Sequence, residues 1–195
     1  MMLLSLLWEM FKGNLIMKHP EIFSTLESKS IHENPYWDYH LDRYIMPNGD
    51  EANYYFVKSR GSVVIVPKLD IDTFILVRQY RYLNKRESIE FPGGGCNSGL
   101  SIIENAKLEL AQEAGYKAEK LTLLSEYNPC NGMTDEICNT FLAEGLSPYK
   151  IKADDSEAID IVTLSSQDII KAINNKSIWD GMTLAAWSLY NFIER

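Results

Sequence analysis

The chain of 195 residues has little cysteine, little histidine, a shortage of positive charge and no long apolar run. Each shortage removes a class of protein. Cys96, Cys130 and Cys138 form no CxxC pair, and three cysteines in a chain of this size make no disulfide framework. They read as buried thiols in a reducing cytoplasm. His19, His32 and His40 show no zinc spacing. With 19 basic against 27 acidic residues the formal net charge is −8. Such a balance argues against a broad nucleic-acid surface, which needs a basic stripe to displace counterions. No segment approaches the length of a membrane-spanning helix, so the expectation is a cytoplasmic protein with no membrane partner. Internal repeats and low-complexity tracts are lacking too.

What is present is ordinary globular composition, 46% apolar and 24% charged, enough for one sizeable core and a small appendage. Residues 1–33 read as an N-terminal extension. Its first seven residues are apolar, with no basic residue before them and with Glu9 and Lys12 soon after, which is not a secretory signal. Two readings stay open: an amphipathic helix that docks on a partner or a membrane surface, or an upstream start codon with Met17 as the natural beginning. Residues 34–60 read as a small aromatic β-hairpin region turning at Pro47-Asn48-Gly49-Asp50. In residues 61–195, strands are expected at 62–67, 74–81, 88–91, 121–127, 137–143 and 158–163. Helices are expected at 101–114, 166–174 and 182–193, with Gly115 stopping the first. Mixed strands around an early helix, with helices last, give an α/β (α+β) sandwich.

Within 101–114, Ile103, Ala106, Leu110 and Ala114 recur at three- and four-residue steps and make the expected buried stripe. Glu109 and Glu113, four residues apart, project together on another face beside Gln112. Like charges at that spacing repel by a few tenths of a kcal/mol in a bare helix. A cation between them reverses the sign, and oxygen-only ligands suit Mg²⁺ or Mn²⁺. The plain alternative is a solvated acidic face. The run Glu90-Phe91-Pro92-Gly93-Gly94-Gly95 before the helix reads as a strand entering a glycine loop, where backbone can approach a ligand closely.

At these residues the chain resembles the Nudix hydrolases, whose box reads G-x5-E-x7-R-E-U-x-E-E-x-G-U. With Gly94 as the first glycine, Glu109, Leu110, Glu113, Gly115 and Tyr116 match. The first box glutamate is Leu100, the arginine is Leu108, and the first of the paired glutamates is Gln112. The likeness extends from about residue 34 to 190 and points to the ADP-ribose pyrophosphatase branch. Its marks are Gln79-Tyr80-Arg81, Glu90 to Gly94, the loop Pro129 to Glu136, the acidic loop Asp154-Asp155-Ser156-Glu157, and Asp180-Gly181-Met182-Thr183-Leu184-Ala185-Ala186.

The resemblance implies a Nudix α/β/α sandwich over residues 61–195. It also implies a Mg²⁺- or Mn²⁺-dependent hydrolase that splits ADP-ribose, or a related nucleoside diphosphate sugar, into two monophosphates. The implied metal set is Glu109, Gln112, Glu113 and the Gly93 carbonyl. Glu157 is the implied general base, with Asp155 as second choice. Arg81 would meet the substrate phosphates, Glu90 would bond substrate or lie buried beside the metal helix, and Trp37 would stack on the base or simply pack. The implied assembly is a homodimer. The substitutions at Leu100, Leu108 and Gln112 keep a second function open, a Nudix-fold nucleotide-binding or sensor protein with weak or no catalysis. From Glu104 to Asp160 the chain carries twelve acidic and five basic residues, so most of the net charge lies in the box helix and acidic-loop segment.

Overall fold

In a computed structural model of the chain the described residues are 23–149, 151 and 159–193. The chain divides into two compact units, Met1–Val57 and Lys58–Arg195. The first holds a three-stranded sheet in the order β1 (Ser24–Glu33), β2 (Asp38–Ile45), β3 (Glu51–Lys58). The expected hairpin is β2–β3. In its turn, Met46 N–H donates to Asp50 O at 2.8 Å and Gly49 takes φ +89°, a conformation that favours glycine. β1 is an addition to the expectation. Its polar sequence gives little apolar alternation, yet it pairs antiparallel with β2 from Ser24↔Ile45 to Glu33↔Asp38. The sheet carries ring pairs such as Tyr39 stacked on Tyr55, centroids 6.2 Å apart.

The second unit is an α/β/α sandwich. Its strands are β4 (Ser62–Pro67), β5 (Thr73–Arg81), β6 (Arg86–Glu90), β7 (Gly93–Gly95), β8 (Tyr116–Tyr127), β9 (Cys138–Pro148) and β10 (Ile159–Ser165). They form two sheets, β7-β4-β9-β8 and β10-β5-β6. β4 and β9 run parallel and the other pairs antiparallel. The helices are α1 (Ile102–Glu113), α2 (Ser166–Asn174) and α3 (Gly181–Ile193).

β4 shows why the layers form. It is β-branched at Val63, Val64, Ile65 and Val66, and its side chains alternate between faces. Val63 and Ile65 join Ala106, Leu110 and Ala114 of the α1 side. Val64 and Val66 join Ile169 and Ala172 of α2 and Ala186, Trp187 and Tyr190 of α3. β5 does the same, with Ile75 on the α1 side and Phe74 and Leu76 on the other. A strand buried on both faces needs a helical layer on each.

Three expectations need correction. Ile103 is 41% exposed, and Asn105 lies on the buried face of α1 instead. The glycine run is a short strand, β7, paired with β4 through Ser62↔Gly95 and Val64↔Gly93, not a loop. Of the three free cysteines only Cys96 and Cys138 are buried, and Cys130 is exposed. Burial pushes the Cys96 and Cys138 thiols above their ordinary range.

Candidate active site

α1 begins at a capping box. The Ser101 hydroxyl accepts the Glu104 N–H, and Glu104 Oε2 accepts the Ser101 N–H at 2.7 Å. The helix stops at Ala114, and Gly115 takes φ +73°. These ends set the rotation of α1, which turns its Glu109 and Glu113 side toward β7.

The two carboxylates meet the glycine strand differently. Gly93 N–H donates to Glu113 Oε2 at 2.8 Å. This is possible because Gly93 falls at a position of the β4–β7 ladder that faces away from β4. The flanking bonds run from Ile65 N–H to Pro92 O and from Cys96 N–H to Gly61 O. By alternation Gly93 N–H and C=O both point outward. Glu109 packs flat against Gly94, where a methyl group would stand 2.9 Å from its carboxyl carbon. Gly93 is equally restricted, since a Cβ there would collide with the Val63 carbonyl oxygen. Glycine at 94 thus lets the Glu109 carboxylate approach the strand, and glycine at 93 lets the strand itself lie against β4.

Beside this corner lies an ion pair with one buried partner. Glu90 is 3% exposed. Its carboxylate takes Arg81 Nε–H at 2.8 Å and a second Arg81 N–H through Nη2, and Gln79 Nε2–H reaches it at 3.4 Å. The hydrogen bond to Glu90 raises Arg81 above its ordinary value against the opposing effect of burial, and the charges of Asp180 and Glu113 add to the rise. Asp180 caps α3 by accepting Thr183 N–H at 2.7 Å.

The structure thus brings Gly93, Glu109, Glu113, Arg81 and Glu90 to the junction of β5, β6, β7 and α1. Gln112 lies half-buried one residue before Glu113 on α1. Trp37 belongs to the other unit, half-exposed, with its ring centroid 6.4 Å from that of His32. Glu157 and Asp155 lie outside the described residues. Arg78 pairs with Asp160 across β5 and β10 at 2.9 Å, a structural role.

Two contributors had no role in the sequence reading. Asn105, fully buried, accepts Asn97 N–H at 2.8 Å and donates to Ser101 O at 3.0 Å, pinning the loop between β7 and α1. An Asn four residues into a capped helix, next to an apolar stripe, is the available signal. Thr183, also buried, accepts Phe91 N–H at 3.0 Å. It stands in the Asp180 to Ala186 segment that the family likeness had already marked.

The Glu109 and Glu113 carboxylates at this corner offer only oxygen, the donor type that suits a hard divalent cation. Among the described residues no group of three or more His, Cys, Asp or Glu could hold a metal ion.

Residues 58–181 match the model of the NUDIX domain family, and the chain belongs to that family. Within it, the likeness is to the ADP-ribose pyrophosphatase branch. The chain is 29% identical over 164 residues to the ADP-ribose pyrophosphatase of Bacillus subtilis (strain 168), covering 83% of this chain and 89% of that protein. It is 27% identical over 164 residues to the methanol dehydrogenase activator of Bacillus methanolicus, again covering 83% and 89%. The crystal structure of an ADP compounds hydrolase aligns with a TM-score of 0.77 at 22% identity, over 87% of this chain and 92% of that one, a likeness of fold. Among the described residues no helix is long and apolar enough to cross a membrane.

Proposed function

We propose that this Nudix hydrolase cleaves the diphosphate of ADP-ribose, or of a related nucleoside diphosphate sugar, to two monophosphates, acting as a cytoplasmic homodimer with Mg²⁺ or Mn²⁺. The observation that supports this reading most is the convergence of Glu109 and Glu113 on Gly93 and Gly94. Glu109, Glu113, the Gly93 carbonyl and, more weakly, Gln112 would hold the cation. Bound there, a divalent ion supplies charge neutralisation at the diphosphate and a more acidic water.

The remaining roles fall to the chain's own groups. Glu90 grips one edge of the Arg81 guanidinium and stiffens it, while 43% of the Arg81 side chain stays open to solvent. The open part suits diphosphate oxygens. It supplies positive charge beside a corner where Glu113 and Asp180 are close enough to act on it. Glu157, or Asp155 in its place, would take the proton of the attacking water. Trp37 is the candidate for contact with the base.

The test is incubation of the pure protein with ADP-ribose and Mg²⁺, with AMP and ribose 5-phosphate followed by chromatography. Release of both products is expected. A second reading, nucleotide binding without turnover, is favoured by Leu100, which is exposed, and Leu108, where the family box places charge. Measurable binding of several nucleoside diphosphate derivatives with no hydrolysis of any would establish the second reading and end the first.

A further inference from the structure

We infer that Thr183 is a positioning residue for the Gly93 corner, acting from α3 through the amide of Phe91. The inference rests on the metal-site reading above and deepens it.

Among the described residues β6 is an edge strand, paired with β5 through Val77↔Glu90, Gln79↔Ser88 and Arg81↔Arg86. An exposed edge leaves a row of open backbone groups. Here residues 177–183, the connection from α2 together with the first turn of α3, lie along that edge as a strap. Ile89 N–H donates to Ser177 O at 3.1 Å, Trp179 Nε1–H to Glu87 O at 2.9 Å, and Phe91 N–H to Thr183 Oγ1 at 3.0 Å. The Arg86 guanidinium covers the Trp179 ring at 3.8 Å. The strap's far end thus holds the start of β6, and Thr183 holds its exit.

The exit is where the site begins. Phe91 N–H is on Thr183, Pro92 has no N–H, Pro92 O is on Ile65 N–H at 2.9 Å, and Gly93 N–H is on Glu113. Proline leaves the corner one donor short, so the Thr183 hydroxyl and Ile65 carry its placement. Thr183 is itself fixed, because its own N–H caps onto Asp180. Removing the hydroxyl strands a buried amide, which the chain can relieve only by moving the corner. Movement there displaces the outward carbonyl of Gly93 and loosens its grip on Glu113.

The experiment uses the full chain with Mn²⁺ alone, read by calorimetry, and amide hydrogen exchange at Phe91 and Gly93. Thr183→Val keeps the shape and loses the acceptor; it should weaken Mn²⁺ binding about tenfold, the scale of lost support around a metal ligand. Exchange at Phe91 and Gly93 should accelerate. Thr183→Ser should restore both readouts to within about twofold, since its hydroxyl offers the same acceptor. Trp179→Phe cuts the strap's far end and should lower the melting temperature while leaving Mn²⁺ affinity unchanged. Wild-type affinity and exchange in Thr183→Val would overturn the inference. So would an equal loss of Mn²⁺ in Trp179→Phe, which would mark general loosening. If the wild-type protein binds no Mn²⁺, the metal reading has failed and exchange alone decides: acceleration at Gly93 in Thr183→Val but not in Trp179→Phe upholds the inference, and no change overturns it. Thr183→Cys, similar in size with a weak acceptor, replaces the valine variant if that one does not fold, under the same outcomes.

Discussion

All six residues of β4 are buried, whereas none of the ten residues of β1 is. The two strands represent two ways of holding a sheet. β4 lies between helical layers, and its free energy comes from apolar area removed from water on both faces. The small sheet has no fully buried residue in any strand. It relies on cross-strand pairs worth about 0.2–1 kcal/mol each, and Phe23, Tyr36, Trp37, Tyr54 and Tyr55 remain exposed. A three-stranded sheet that buries so little of its own side-chain surface is marginal in water. The sandwich is therefore the stable frame of the site, and the small sheet is the part that needs a cover, which the proposed homodimer would supply.

Leu110→Ala is the strongest test of that contrast. Leu110 is 1% exposed and packs with Val63, Ile65 and Phe141. The change should cost about 3 kcal/mol of unfolding free energy in urea. Tyr55→Ala in the small sheet should cost less than about 1 kcal/mol at low protein concentration. Equal losses would mean the two regions are not held differently.

Glu113→Gln separates stability from chemistry within the sandwich. Glu113 is half-buried at the end of α1, and a glutamine can still accept the Gly93 amide. Hydrolysis of ADP-ribose should fall by at least about 100-fold, or roughly 2.7 kcal/mol of barrier, with unfolding free energy nearly unchanged. A wild-type rate would show that the ligand set is wrong.

The cover on the small sheet is tested next. Tyr54 and Tyr55 are successive residues of β3 and point to opposite faces. Tyr54→Lys and Tyr55→Lys therefore probe one face each. By sedimentation equilibrium, the variant on the covered face should raise the dimer dissociation constant by about tenfold or more, the effect of losing one aromatic anchor. If neither variant changes it, the small sheet is not the dimer contact.

Much of this arrangement was legible in the sequence, and the misses have physical causes. Runs of β-branched residues marked β4 and the centre of β5, and the Gly115 stop and helical periodicity marked α1. The four-residue spacing of Glu109 and Glu113 put them on one side of α1, and both side chains reach the glycine strand. β1 was missed because pairing along a sheet edge demands no apolar pattern. Ile103 was assigned to the core because a stripe read from three- and four-residue steps ignores what lies beyond the first turn, where Asn105 is used instead to tie down the loop. The Glu90–Arg81 pair was only half visible: both residues were named, but that one buries the other's charge depends on the β5–β6 register, Arg81↔Arg86 and Val77↔Glu90. Thr183 bonds a residue 92 positions away, and no local pattern carries such a contact.

Leu108→Arg tests how the site manages without the box arginine. In this chain Glu113 is oriented by the Gly93 amide. An arginine restored at the half-buried position 108 should raise Mn²⁺ affinity by only about two- to fivefold, the scale of a partly exposed ion pair. A gain of a hundredfold would show that the amide is a poor substitute and that the missing charge is the main weakness of the site.

The smallest effect belongs to exposed charge, and it sets the baseline against which burial in the sandwich is judged. Asp168 accepts the Ser165 hydroxyl at 2.7 Å and Lys171 Nζ–H at 2.8 Å near the start of α2. Its carboxyl is held below the ordinary value of 3.8, first by the hydrogen bond from Lys171 and then by that from Ser165. A depressed carboxyl favours the folded state when ionised, so its contribution is complete above that ordinary value. It disappears as pH falls through the lower value of the folded protein. Asp168→Asn should therefore lower the melting temperature slightly at neutral pH, and the gap to wild type should close in acid. Leu110→Ala has no titrating group, so its penalty should persist over the same range while the protein remains folded. If the Asp168→Asn gap stays constant into acid, the interaction at the start of α2 is not the charge-assisted one its geometry indicates.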